Sequence, residues 1–498
     1  MNSKQHSNRE PNLIIIMADQ LRHDVLGKGI TPNIDGLAAE GITFDRAYCN
    51  CPLCVPSRGS FFTGTMPAQN GSRINPWTPD DAPSGDVHAG IPNLFEMLEQ
   101  NWEVIHSGKQ HLYTEGGKLE DKDQNVRWVA TEKSYAAFLK ENGKRAPGGP
   151  AFRTEVPEMV SGKYTRVTTY STPKTGIYPE DEKYFYDRYY TDRALTGLRE
   201  RKGDKPLFLN MMFLAPHPPF EIPEKWYSLI DINDVILPDN VGIFYPRQSP
   251  LQMYNITGIV GSRYTREEWR ESWRVYLGLT AMLDSLTGEI IDELKRQGLY
   301  DNSIIIFTSD HGEMLGSHAL FQKMCMYEES VHVPLYIKLP KGKNARMHIG
   351  NPVSLIDVLP TICEMLKVSV PESVEGRSLV PLINGIKEPP RDIFIQYDGN
   401  GSLSNFQRCI ISNGKKLIVD LFKDEAFFEL YDIEHDIEET DNLLFHGDQW
   451  DNVAQELYRK LLHHMRTDDD SLSMPIIDLK GFRNHYWNIP AQQWKYPS

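Results

Sequence analysis

The sequence predicts an α/β protein: a large, mostly parallel sheet sandwiched by helices, followed by a smaller C-terminal α+β part carrying an antiparallel sheet. Three observations carry this prediction. Four apolar runs lack the polar alternation of half-exposed strands, as expected of strands covered on both faces. A long amphipathic stripe precedes the last of them. Beyond Pro389-Pro390 the pattern changes to short strands joined by a hairpin signal.

The first run, Asn12 to Ala18, ends in Asp19-Gln20, and the second, Trp102 to Ile105, leads to His106-Ser-Gly-Lys109-Gln-His111. The third, Pro206 to Ala215, ends in Pro216-His217-Pro218-Pro219, and the fourth, Ser303 to Ser309, in Asp310-His311-Gly312-Glu313. Ligands of open α/β sheets gather outside the carboxyl ends of the strands, so these termini are the expected site. Residues 273–297 place Tyr276, Leu279, Leu283, Leu286, Ile290 and Leu294 on one helix face, with Gly298 as the stop. The segment after Cys54 is expected to be a short helix whose N-terminus faces an anion. Segments 113–190 and 240–270 show no period and are expected to be long loops that build selectivity.

The expected catalytic part spans residues 1–388 and the C-terminal part 389–498. In the latter, strands are expected at 392–397, 408–411, 416–421 and 427–432, with Asn413-Gly414 as a hairpin turn and a helix over 452–466. The tail from 471 carries Phe482, Tyr486, Trp487, Trp494 and Tyr496, and is expected to pack on the body or to join two copies of the chain.

A net charge of −15 over 498 residues argues against a nucleic-acid partner, which calls for a basic face. Six cysteines in so long a chain do not make a disulfide framework, and Cys49, Cys51 and Cys54 lack the second cluster that a zinc knuckle needs. The polar N-terminus reads as no signal peptide, no run is long enough to span a membrane, and a cytoplasmic protein is expected. The sequons at Asn70, Asn255 and Asn400 are then accidents of composition.

The stretch Cys54-Val-Pro-Ser-Arg-Gly-Ser-Phe-Phe-Thr-Gly64 resembles the maturation signature of type I sulfatases. In that family the cysteine is oxidised to formylglycine, whose hydrate is a geminal diol. A thiolate attacking a sulfate ester would end as a trapped thiosulfate. A diol escapes, because its second hydroxyl expels sulfate as the carbonyl re-forms. The resemblance to the sulfatase branch of the alkaline phosphatase superfamily covers most of the chain. It runs through Ala18-Asp19-Gln20, Thr31 to Gly41, Gly108-Lys-Gln-His-Leu112 and Ser309 to Glu313, reaching Glu429-Leu-Tyr-Asp432.

The resemblance implies a divalent metal on Asp19, Gln20, Asp310 and His311, completed by the modified Cys54. Oxygen donors suit Ca2+; His311 and Gln20 depart from the commonest pattern, and the imidazole shifts the set toward Mn2+ or Zn2+. It further implies that Arg58 holds the formylglycine, Lys109 and Lys323 clamp the sulfate, His217 protonates the leaving alcohol, and His111 takes the proton in the collapse step. A formylglycine-generating maturase is the implied partner. Arg73 and Trp77, close behind Cys54, are candidates for contact with a small sulfated substrate, a carbohydrate ester being expected. A phosphonate or phosphodiester hydrolase of the same superfamily and an inactive binding protein are the alternatives.

Overall fold

The structure, a computed structural model, describes residues 10–77, 82–122, 125–160, 164–341 and 346–487. The main sheet uses β1 (Asn12–Asp19), β2 (Ile42–Phe44), β3 (Glu103–Gly108) and β4 (Arg127–Ala130). After a separate hairpin of β5 (Arg153–Val160) and β6 (Tyr164–Ser171), it continues with β7 (Leu207–Pro216), β8 (Ser303–Ser309), β9 (Leu335–Lys338) and β10 (Met347–Ile349). The spatial order is β10-β2-β9-β8-β1-β7-β3-β4. The block β8-β1-β7-β3-β4 is parallel throughout, whereas β9 runs antiparallel to both β8 and β2.

All four predicted apolar strands lie in that block, and Leu13 to Ala18 are fully buried. Helices cover both faces. On one side lie α1 (Cys54–Thr63) and α2 (Leu94–Leu98), and the region 113–190 adds α3 (Glu132–Glu141) before α4 (Tyr186–Arg199) on the other. Successive residues of β3 show the two faces: Ile105 meets Gly197 of α4, while the His106 ring lies 6.2 Å from Phe95 of α2. The stripe predicted at 273–297 belongs to α5 (Arg266–Arg296), which packs against α4 and β7. Its earlier start follows from a Thr265–Glu268 capping box and from Trp269, a bulky apolar residue that extends the buried face.

Segments 113–190 and 240–270, expected as loops, carry regular structure: β4, the β5–β6 hairpin, α3, and short helices at Pro250–Tyr254 and Ile256–Gly261. These elements were hidden because β5 and β6 pair only with each other, and α3 buries just Tyr135 and Leu139.

The second sheet joins β11 (Ile393–Tyr397), β12 (Phe406–Ser412), β13 (Lys415–Phe422) and β14 (Glu425–Asp432) in sequential antiparallel order. Asn413 and Gly414 both adopt positive φ (50° and 72°), as a type I′ hairpin turn requires. Leu457 and Leu461 of α6 (Asp451–Thr467) join Leu417 and Val419 in a second core. From the tail, α7 (Leu479–Trp487) packs Phe482 and Tyr486 on Phe427, with ring centroids 5.0 and 4.7 Å away. Trp494 and Tyr496 lie outside the described residues. Among the described residues no helix is long and apolar enough to cross a membrane. The sequon asparagines Asn70, Asn255 and Asn400 are all buried.

Lys416 of β13 ties this sheet to the catalytic part. Its fully buried ammonium lies 2.7 Å from Glu328 and 2.8 Å from Glu439, and donates to the Met326 carbonyl. Breaking such a buried pair leaves uncompensated charge, so Lys416→Met should destabilise the protein by about 3–5 kcal/mol, measurable by denaturant unfolding.

Candidate active site

The carboxyl ends of β8, β1, β7 and β3 lie side by side and deliver Asp310-His311, Asp19-Gln20, His217 and Lys109 to one edge. The register places Asp19 beside Pro216, and Ala18 beside Ser309. Gly108, at φ +117°, makes the turn into Lys109; a Cβ there would sit 1.8 Å from the Met212 carbonyl oxygen.

Helix α1 enters this edge from below the loop Cys49–Leu53, buried along its whole length and closed by Gly64 in the left-handed conformation. Cys54 is its first residue. The Cys54 sulfur lies 3.2 Å from His311 Nε2, 3.7 Å from Asp19 Oδ1 and 4.0 Å from Lys109 Nζ. One turn on, the Arg58 guanidinium reaches Asp19 and Asp310, both at 2.9 Å, and donates to the Lys109 carbonyl. The Ser57 hydroxyl donates to the Asp310 carbonyl at 2.5 Å.

One donor atom from each of Asp19, Cys54, Asp310 and His311 lies within 4.8 Å of the others, and all four residues are buried. Two buried carboxylates and an imidazole fit a divalent cation. Gln20, at φ +69°, turns sharply after β1; its amide oxygen accepts from Lys323 Nζ at 2.6 Å, and its amide nitrogen donates to Glu313. Cys49 and Cys51 are buried and stay outside this group.

The cluster sets its own ionisation. Burial pushes the Asp19 carboxyl upward, but Lys109, His217, Arg58 and Lys323 outweigh it and hold Asp19 well below the usual carboxylate range. For Cys54, burial and Asp19 oppose ionisation, while Lys109, Lys323 and His311 overcome them and lower the thiol. His217 is held well below its ordinary value by burial and by the same two lysines. His111, 3.2 Å from Glu132, is lowered by burial to about 4 although that carboxylate pulls the other way.

Of the residues given a catalytic or metal-binding role on the sequence, Asp19, Gln20, Cys54, Arg58, Lys109, Asp310, His311 and Lys323 are joined by the contacts above, and His111 and His217 lie near enough to feel the charge of Lys109. Arg73 and Trp77 are engaged elsewhere: Arg73 pairs with Asp398 of the C-terminal part at 2.6 Å, and the Trp77 ring lies 5.1 Å from Tyr170 of β6. His106 is a core residue bonded to Asn210, and His464 stacks on Phe394.

Sequence reasoning missed three supporting carboxylates. Glu132 opens α3, in a region expected to be loop. Asp187 of α4 accepts the Leu214 and Ala215 N–H groups at 2.8 and 2.7 Å, anchoring the end of β7 that carries His217. Glu313, the last residue of the Asp310-His-Gly-Glu segment, also accepts from the backbone of Leu315 and Gln322. Only Glu313 carried a signal, its place two residues after a pair of candidate ligands.

Comparison with known proteins agrees with this geometry. The model of the Sulfatase family matches residues 11–368, and that of the N-sulphoglucosamine sulphohydrolase C-terminal region matches 316–467. The chain therefore belongs to the sulfatase family, within the alkaline phosphatase superfamily. An arylsulfatase of Clostridium perfringens is 26% identical over 492 residues, covering 92% of this chain and 93% of that protein. A choline-sulfatase of Rhizobium meliloti is 28% identical over 451 residues, covering 87% and 82%. The phosphonate monoester hydrolase of Agrobacterium radiobacter shares the fold, with a TM-score of 0.73 at 23% identity over 92% of this chain and 96% of that one.

Burial pushes the Glu313 carboxyl up to about 7, and this carboxyl, accepting from the Gln20 amide, orients it. Glu313→Gln, which replaces one acceptor oxygen by a donor, should weaken divalent-cation binding about 10- to 100-fold, measured by calorimetric titration with Ca2+.

Proposed function

We propose that this enzyme hydrolyses the sulfate monoester of a small carbohydrate through a formylglycine hydrate made from Cys54. The observation that carries this reading is the Cys54 sulfur itself, at a helix N-terminus and within 4.0 Å of Asp19, His311 and Lys109. The match of residues 316–467 to a family model described for N-sulphoglucosamine sulphohydrolase supports a sugar substrate. Cys54 is only 3% exposed in the folded chain, so the maturase we infer acts before α1 is buried.

Asp19, Asp310, His311, the Gln20 amide and the converted Cys54 are the groups that would hold the metal. Ca2+ best matches the oxygen donors, with Mn2+ or Zn2+ as alternatives; once bound, the ion polarises the sulfate and lowers the pKa of the hydrate. Lys109 and Lys323 hold the sulfate oxygens, each such preorganised contact being worth about 3 kcal/mol of barrier. One hydrate hydroxyl, having lost its proton to solvent at that lowered pKa, attacks sulfur as the bond to the leaving alcohol breaks, and His217 supplies the leaving oxygen with a proton. His111 then takes the proton of the second hydroxyl, the carbonyl re-forms, and inorganic sulfate departs. Because Lys109 and Lys323 help depress His217 in the free site, a sulfate ester bound between them offsets that effect and favours the protonated acid.

A phosphonate monoester hydrolase is the second reading, favoured by His311 beside Cys54, since related phosphonate hydrolases resemble this chain in that Asp-His pair. Rates on paired aryl sulfate and aryl phosphonate esters separate the two. An enzyme that carries the aldehyde yet turns over neither ester would be a sulfatase-like binding protein.

Two outcomes test the mechanism. Cys54→Ala should abolish sulfate-ester turnover, and mass spectrometry of the Cys54 peptide from active enzyme should show aldehyde; a fully native thiol there overturns the reading. His217→Gln should slow hydrolysis of alkyl sulfates about 10²- to 10⁴-fold, but that of 4-nitrophenyl sulfate far less, because a good leaving group needs no acid.

A further inference from the structure

A cavity of about 670 Å³ opens onto His217, the proposed proton donor to the leaving alcohol. One wall is a face of the β5–β6 hairpin. Arg153 pairs directly with Ser171 across the strands, and Glu155 with Thr169, so these four side chains share that face. The opposite wall is apolar, made by Pro150, Pro218 and Pro219.

Both walls are held in place. The far face of the hairpin packs on Trp77 through Tyr170, and Arg166 donates to Glu158 at 2.8 Å. At the hairpin's base, the Gln322 side chain donates to the Ser171 carbonyl at 3.5 Å, next to Lys323 of the sulfate site. The proline wall is pinned by buried Glu221, which accepts from Arg145 and from the Gly148 N–H, both at 2.6 Å.

Arg153 and Glu155 are exposed, and neither has a charged partner among the described residues. Two positions apart on an extended strand, their backbones stand about 6.6 Å from one another, a spacing that lets the two heads flank a ring. A donor cation, an acceptor carboxylate and two hydroxyls on one wall, facing prolines on the other, match a pyranose, with its hydroxylated rim and apolar face. The wall's charges cancel, so it offers no net attraction to a second anion.

Resting on the sulfatase reading, we infer that this hairpin face is the leaving-group subsite and that it selects an uncharged, polyhydroxylated sugar. A uronate or a second sulfate at that position would lose hydration with no net charge on the wall to compensate it.

The test compares kcat/KM for three esters: 4-nitrophenyl sulfate, a monosulfated disaccharide whose second ring is uncharged, and its counterpart with a uronic acid there. The wild-type enzyme should prefer the uncharged disaccharide over the uronate ester by about tenfold or more. Arg153→Ala and Glu155→Gln should each lower the disaccharide-to-aryl ratio of kcat/KM about tenfold, chiefly through KM, as loss of a hydrogen bond to a charged group predicts. Thr169→Val, a smaller change, should move the ratio in the same direction. An unchanged ratio in all three variants, or preference for the uronate ester, overturns the subsite. Absence of turnover on every ester by aldehyde-bearing enzyme defeats the sulfatase reading instead. Calorimetric binding of the unsulfated, uncharged disaccharide then judges the subsite separately: binding weakened by Arg153→Ala supports it, and no binding by the wild type overturns it.

Discussion

Arg58 is the constraint on which the site depends. Asp19 and Asp310 end neighbouring strands with no exposure to solvent, where two carboxylates could not both stay ionised without a cation between them. One guanidinium reaches both, and its remaining donor takes the Lys109 carbonyl on the far side of the cluster. Removing one member of such a buried network costs on the order of 3–5 kcal/mol. Because Arg58 lies four residues after Cys54 on the same helix, its side chain projects beside that of Cys54. The pairing that neutralises the carboxylates therefore also places Cys54. This is a physical reason for the cysteine-to-arginine spacing that does not depend on any comparison.

The second requirement is strand order. Since β8, β1, β7 and β3 are consecutive neighbours in space, their termini form a row from Asp310 through Asp19 and His217 to Lys109. The cations stand over the anions closely enough to keep Asp19 charged and to ease ionisation at Cys54. Outside this row the chain builds by accretion. The hairpin and the proline wall close over His217, and the C-terminal part reaches the rim through the Asp398 pair with Arg73 and the buried Lys416 network. The C-terminal sheet thus steadies the site's surroundings while contributing none of its reacting groups.

Glu132, Asp187 and Glu313 show how a site is supported by residues that do no chemistry. Each lies against a group it orients: His111, the backbone of β7, and the Gln20 amide. Asp187 sits in mid-sequence among tyrosines, in a segment without visible period, and nothing local distinguishes it from a solvated acid on a helix. Its meaning arises only when α4 packs on the sheet and two backbone N–H groups point at it.

By itself the sequence determined four strands of the main sheet, the long helix, the C-terminal hairpin and the residues that meet at the candidate site. Burial on both faces writes itself as unbroken apolar runs, Asn-Gly suits a type I′ turn, and Cys54 and Arg58, four residues apart, share a helix face. The tertiary structure alone decided that four distant strand ends become neighbours, and that the region 113–190 folds into a hairpin and helix. It also turned Arg73 and Trp77 toward Asp398 and Tyr170. These outcomes depend on pairings between segments far apart in the chain, whose energies come from contacts that no local period or spacing records.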